Sequence, residues 1–238
     1  MSLGNKKYYN FPIVLLEGFM VDNTNVFKNI HAYATYVQAL TYYEKEGFNW
    51  VVNEDIEKAI TLSDSYFGVK TGDKLKTFET GKELFDSIPL KTPKVGLSID
   101  MFLDYYRNDK DDFQKVCLLG FLAIKSILQK KAYCKITNNY WLSRMDGKAK
   151  SIEDFSQLSS SIKKYANEYQ TKKIKSELRD YWSLVTYARY TRGFYVSLKL
   201  NLEKLVYEAE KRRRSTKEKQ AKSAQKIALD KALKRLEV

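Results

Sequence analysis

Between Gln170 and Arg192 the chain concentrates the side-chain types that hold phosphates. In "TKKIKSELRDYWSLVTYARYTRGFYVSL", residues 171–198, Lys172, Lys173, Lys175 and Arg179 fall between apolar residues at helical spacing, with Ile174, Leu178 and Tyr181 at i, i+4 and i+7. If that stripe, closed by Tyr181 or Trp182, faces a core, the four cations and Ser176 face outward. Lysines neutralise phosphates as point charges, whereas Arg179, Ser176 and Gln170 carry donors and acceptors suited to base edges. Thr171 is the expected N-cap, leaving free N–H groups at a positive helix end for a further phosphate.

After Trp182 the apolar spacing changes to two. Leu184, Thr186 and Ala188 alternate with Val185, Tyr187 and Arg189, and beyond the turn Phe194, Val196 and Leu198 alternate with Tyr195, Ser197 and Lys199. The pattern predicts a hairpin with Arg189 and Arg192 at its tip and Gly193 supplying the permissive backbone. Arginines there would reach phosphates or a narrow minor groove.

Other reactive residue types do not assemble into a recognisable site. The two cysteines, Cys117 and Cys134, are far apart in sequence and read as buried thiols. The one histidine, His31, lies inside a Tyr/Ala/Val helical pattern and lacks an evident catalytic partner. "GDKLKTFETGKE" has glycines too widely spaced for a phosphate loop, and Glu83 stands where a Mg²⁺-binding hydroxyl is needed. Asp100, Asp104, Asp109, Asp111 and Asp112 would suit a two-metal nuclease, but aspartates also collect at helix N-termini for electrostatic reasons, which is the preferred reading. The expectation is a non-enzyme without metal or cofactor.

Charge is distributed unequally. Residues 1–110 hold 13 Lys and Arg against 15 Asp and Glu, a net of −2, whereas residues 111–238 hold 29 against 14, a net of +15. A surplus confined to one half points to an anionic partner for that half. No run of about eighteen apolar residues is present for a membrane span, and "MSLGNKKYYN" lacks the apolar stretch of a signal peptide. A cytoplasmic protein is expected.

The elements that must position the basic segment read as mainly helical. "NTNVFKNIHAYATYVQALTYYEKEG" and "NEDIEKAITLSDSYFG" predict helices ending at Gly47 and Gly68. "TGDKLKTFETGKELFDSI" predicts a loop and a short helix, and "PLKTPKVG" a connection. "SIDMFLDYYRND" predicts a helix capped by Ser98. "DKDDFQKVCLLGFLAIKSILQKK" is the most apolar helix and the expected centre, with Gly120 tolerable where another helix approaches closely. "AYCKIT" predicts a short strand. "NNYWLSRMDG" predicts a brief helix with Trp141, Leu142 and Met145 inward, followed by a polar insertion over 148–170. The tail would dock through Leu202, Leu205, Val206 and Ala209. It then carries Lys211, Arg212, Arg213 and Arg214, and ends in a thin stripe of Leu229, Leu233 and Leu236. Three readings of the tail stay open: a basic arm along DNA, a dimer or partner helix, or a solvated end.

From the central helix onward, the order helix, strand, helix, helix, hairpin resembles winged helix-turn-helix DNA-binding domains over about residues 111–200. The resemblance implies that "NNYWLSRMDG" braces, "TKKIKSELRDYW" enters the major groove and "SLVTYARYTRGFYVSL" is the wing. The insertion between the two helices departs from the compact form. The stretches "GFLAIKSILQKKAYCKITNNYWLSRMDG" and "LVTYARYTRGFYVSL" also look like accessory proteins of bacterial mobile elements (mobilizable transposons, conjugative elements, plasmids). That likeness implies a role in replication, excision or transposition. The expected organisation is a helical N-terminal domain over 1–108, a winged-helix domain over 109–200 and a basic helical tail over 201–238. The first part would serve packing, a protein partner or a homodimer. The expected function is non-catalytic binding of double-stranded DNA; the alternative is an interaction protein that binds RNA or an acidic protein through its basic half.

Overall fold

Two short strands frame the first half of the chain. In the computed structural model, which describes residues 7–188 and 193–236, β1 (Tyr8–Pro12) runs into a 3-10 turn at Ile13–Leu16 and then α1 (Asn23–Glu46), α2 (Asn53–Phe67) and α3 (Lys74–Ser87). β2 (Lys94–Ser98) returns antiparallel to β1, from Tyr8 opposite Ser98 to Pro12 opposite Lys94, and leads directly into α4 (Ile99–Arg107). Asp22 caps α1 through the Asn25 N–H at 2.9 Å, and Gly47 and Gly68 end α1 and α2 in the left-handed conformation, as expected.

Three expectations for this half need correction. The segment after Gly72 is a full helix of 14 residues, because Asp73 accepts the Lys76 N–H and Phe78 is buried. The second half of "PLKTPKVG" is strand β2, whose Val95 and Leu97 point into the core; two inward residues are too few to register as alternation in a sequence. Ser98 stands at the start of α4 but its hydroxyl makes no capping bond.

The second half is built around α5 (Asp112–Leu128), ten of whose 17 residues are buried, which makes it the central helix. Asp111 and Gln114 close a reciprocal capping box at its start. Then follow β3 (Cys134–Ile136), α6 (Asn138–Met145), a 3-10 turn at Phe155–Gln157, α7 (Ser160–Lys163), α8 (Glu168–Tyr181), β4 (Val185–Tyr187), β5 (Phe194–Ser197) and α9 (Leu202–Leu236). The chain is thus mainly helical, with nine α-helices and two small antiparallel sheets among the described residues. In the second sheet β5 lies in the middle, between β3 and β4.

Gly120 is where three helices meet. A Cβ there would lie 3.2 Å from both Ile174 Cγ2 on α8 and Trp141 Cζ2 on α6, and the Trp141 indole N–H donates to the Gly120 carbonyl at 3.0 Å. The close approach that makes this glycine tolerable is therefore present. The insertion is less polar in effect than its composition suggests, because Ile152, Leu158, Ile162 and Tyr165 are buried in the core. It is anchored by the buried Asp146, which accepts the Ser159 backbone N–H at 3.0 Å, the Ser159 hydroxyl and the Lys148 ammonium.

One buried cluster takes side chains from both sides of residue 108, among them Tyr9, Phe11, Phe27 and Leu97 with Leu119, Trp141, Leu178 and Val196. Lys125 of α5 adds a polar tie: its ammonium donates to the Gly96 carbonyl of β2 and lies over the rings of Tyr8 and Phe121, and burial lowers its pKa. A smaller cluster joins α1, α2 and α3 through Tyr36, Ile60 and Phe78. Helix α9 contacts β4 and β5 with Leu205 and Ala209 buried, whereas Leu202, expected on that face, is 54% exposed. The Tyr187 hydroxyl donates to Glu210 at 2.8 Å. Residues 211–228 are exposed apart from the half-buried Arg213. The stripe of Leu229, Leu233 and Leu236 belongs to side chains outside those described. Among the described residues no helix is long and apolar enough to cross a membrane.

Candidate nucleic-acid interface

Helix α8 presents the cations much as its spacing predicts, with Trp182 rather than Tyr181 closing its apolar face and its N-cap in need of correction. Ile174 and Leu178 are fully buried, but Tyr181 is 78% exposed; Trp182 closes the apolar face instead, its ring 4.8 Å from that of Phe121. Thr171 is not the N-cap. The helix begins at Glu168, Asn167 accepts the Gln170 N–H at 2.9 Å, and Thr171 is buried in the first turns with its hydroxyl donating to the Glu168 carbonyl. Asn167 competes better because its side chain reaches the orphan N–H groups from a non-helical backbone. Thr171 is thereby removed from any contact surface.

The remaining side chains differ in freedom. Lys172 is exposed and meets the exposed Glu168 at 2.7 Å, a hydrated pair easily exchanged for phosphate. Lys173 reaches back over the Phe113 ring of α5 at 4.3 Å. Arg179 donates to Ser176 Oγ at 3.1 Å, and that hydroxyl donates to Asp180. Gln170 is half-buried in the helix's first turn.

Lys175, expected to face outward with the others, is half-buried. Its ammonium donates to Asn138 Oδ1 at 2.9 Å and lies 3.8 Å from the Phe194 ring centroid and 5.3 Å from that of Trp141. Removal from water disfavours the charged form, and its pKa is lowered to about 8. The aromatic faces return part of that cost.

Between α8 and strands β4 and β5 lies an open groove of about 810 Å³. Lys172, Lys173, Lys175 and Arg179 line it together with Ser176, Tyr169, Thr186, Ala188 and Phe194. Among the described residues no carboxylate lines it, although α8 also carries Glu168, Glu177 and Asp180. The two strands of the predicted hairpin pair antiparallel, with Val185 opposite Ser197 and Tyr187 opposite Tyr195. Gly193 has φ +95°, and a Cβ there would run into the Ile136 carbonyl of β3. Arg189 and Arg192 lie outside the described residues. Lys211, Arg212 and Arg214 are exposed on α9, while Arg213 is partly covered and pairs with Glu210 at 3.2 Å.

Sequence reasoning missed Tyr169, Asn138 and Thr186. Tyr169 was legible: it stands three residues before Lys172, on the same outward stripe, and is 72% exposed. Asn138 and Thr186 come from other elements, and no local pattern could have placed them beside α8.

The other candidates are engaged elsewhere. Asp104 is held below the usual carboxylate range by bonds from Lys110 and Asn108, and Asp112 by Lys164; Asp111 caps α5. Burial pushes the thiols up, Cys117 to about 12 and Cys134 to about 11, so both are poor nucleophiles. Among the described residues no group of three or more His, Cys, Asp or Glu is placed to hold a metal. Compared with known proteins, the chain matches no family model, no curated protein and no solved structure.

Proposed function

We propose that the protein binds double-stranded DNA without catalysis, α8 entering the major groove and the β4–β5 hairpin lying beside it. The observation that carries this reading is the groove whose charged lining, among the described residues, is Lys172, Lys173, Lys175 and Arg179 and no acid. Such a lining suits phosphates, one of which can take the place of the exposed Glu168 that pairs with Lys172. The element order supports a winged-helix arrangement with an insertion: α5, β3, α6, then the 3-10 turn and the short α7, then α8, β4 and β5, with β5 between β3 and β4 in the sheet. In this reading α6 braces α8 through the contact of Lys175 with Asn138. The exposed cations of α9 add sequence-independent attraction. The role we assign is accessory or regulatory, in the replication, excision or transposition of a mobile element.

The test is binding of a random duplex across a salt series. Four phosphates neutralised in the groove make affinity fall about 10²-fold between about 50 and about 200 mM salt, and further contacts from α9 steepen the fall. Indifference to duplex at low salt, with retention of RNA or an acidic protein, would favour the interaction-protein reading instead.

A further inference from the structure

We propose that the first half of the chain holds a second, separate site: a cavity that takes a nucleoside monophosphate. The cavity measures about 320 Å³ and lies between α1, α4 and the turn that joins α2 to α3. That is the scale of a small-molecule site and too small for a duplex or a helix.

Its floor is rigid. The Thr71 hydroxyl donates to Asp64, so its oxygen accepts from His31 Nε2, 3.0 Å away. His31 is then protonated on Nε2, and its bare Nδ1 accepts the Tyr9 hydroxyl at 3.1 Å. Burial also lowers the His31 pKa, which keeps the ring neutral. Asp64 does not line the cavity and is occupied by the Thr71 N–H and hydroxyl.

The wall is aromatic and the rim cationic. Tyr106 is stacked on Phe102 at 5.8 Å and edge-on to Phe27, yet 43% exposed, which leaves a ring face for a planar ligand. Lys28, Lys70 and Arg107 line the same cavity, exposed, and none has an ion pair among the described residues. Among the described residues no acid lines the cavity, although residues 1–110 carry more acids than bases. Rigid floor, ring face and three uncommitted cations suit a flat base joined to a phosphate, with Arg107 able to grip the phosphate by two bonds.

The site does not depend on the duplex reading, and titration calorimetry of the full chain tests it with deoxyadenosine monophosphate, adenosine and inorganic phosphate as separate probes. The nucleotide should bind at least about tenfold more tightly than either part alone. Arg107→Ala and Lys70→Ala should each weaken it about tenfold with an unchanged melting temperature, while Lys172→Ala with Arg179→Ala should leave it unaltered. Tyr106→Phe should retain binding that Tyr106→Ala loses. The proposal is overturned if the nucleotide does not bind, if phosphate alone binds equally well, or if the groove substitutions rather than Arg107→Ala remove binding.

Discussion

The ammonium of Lys175 lies 3.8 Å from the centre of the Phe194 ring, so a cation of α8 rests directly on strand β5. This contact joins the two elements that flank the basic groove, and it places a charge where water is scarce. Its consequences are measurable.

Lys175 titrates near 8 in the folded chain, against about 10.4 for an ordinary lysine. The folded state therefore binds fewer protons than the unfolded one between those values, and the contribution of Lys175 to stability rises with pH through that window. Below pH 8 both states are protonated and the full cost of the buried charge is felt. Thermal melts from pH 7 to pH 10 should show this rise in the parent chain and lose it in Lys175→Met. Duplex affinity should move the opposite way, falling by up to about tenfold per pH unit above 8 as the cation is lost. Affinity in Lys175→Met should be weaker and flat with pH. A slope retained in that variant would show that another group titrates.

Lys172 and Arg179 touch the groove without supporting the core. Replacing both by Ala should lower the slope of log affinity against log salt by about 0.9 for each phosphate no longer neutralised, with no change in melting temperature. Lys173 is left in place because it packs on Phe113. Fluorescence anisotropy at several salt concentrations, beside thermal melts, separates a weakened interface from a damaged fold.

Gly120→Leu should cost about 1–3 kcal/mol, because the space beside Gly120 is filled by Ile174 and Trp141. Denaturant titration reads this directly. The damage should also weaken duplex binding, since α8 is held on α5 at this point.

Asp146→Asn removes the ion pair with Lys148 and weakens the bonds from Ser159. A loss of about 1–3 kcal/mol is expected for disturbing a buried, charge-assisted network. Hydrogen exchange should rise across residues 148–166 before it rises in α5, because that segment hangs on Asp146.

Much of the scaffold was legible in the sequence because its causes are local. The period of Ile174 and Leu178, the stops at Gly47 and Gly68, the apolar surface of α5 and the alternation around Gly193 each act within a few residues. β2 escaped notice because its pairing with β1 joins segments more than eighty residues apart, as Tyr8 opposite Ser98 shows. The N-cap of α8 was misplaced because Asn167 and Thr171 are both capping residue types, and the burial of Thr171 is what separates them.

The sequence by itself determined that the cations of 172–179 share one helix face and that a hairpin follows them, since both facts depend only on spacing along the backbone. Only the tertiary structure decided that this face and the hairpin strands border one groove, that acids of the same helix are left outside it, and that Lys175 is half-buried. The physical reason is that dielectric environment and long-range proximity belong to packed surfaces. Asn138, Phe194 and Lys175 meet only after α5 has gathered α6, α8 and the sheet around it.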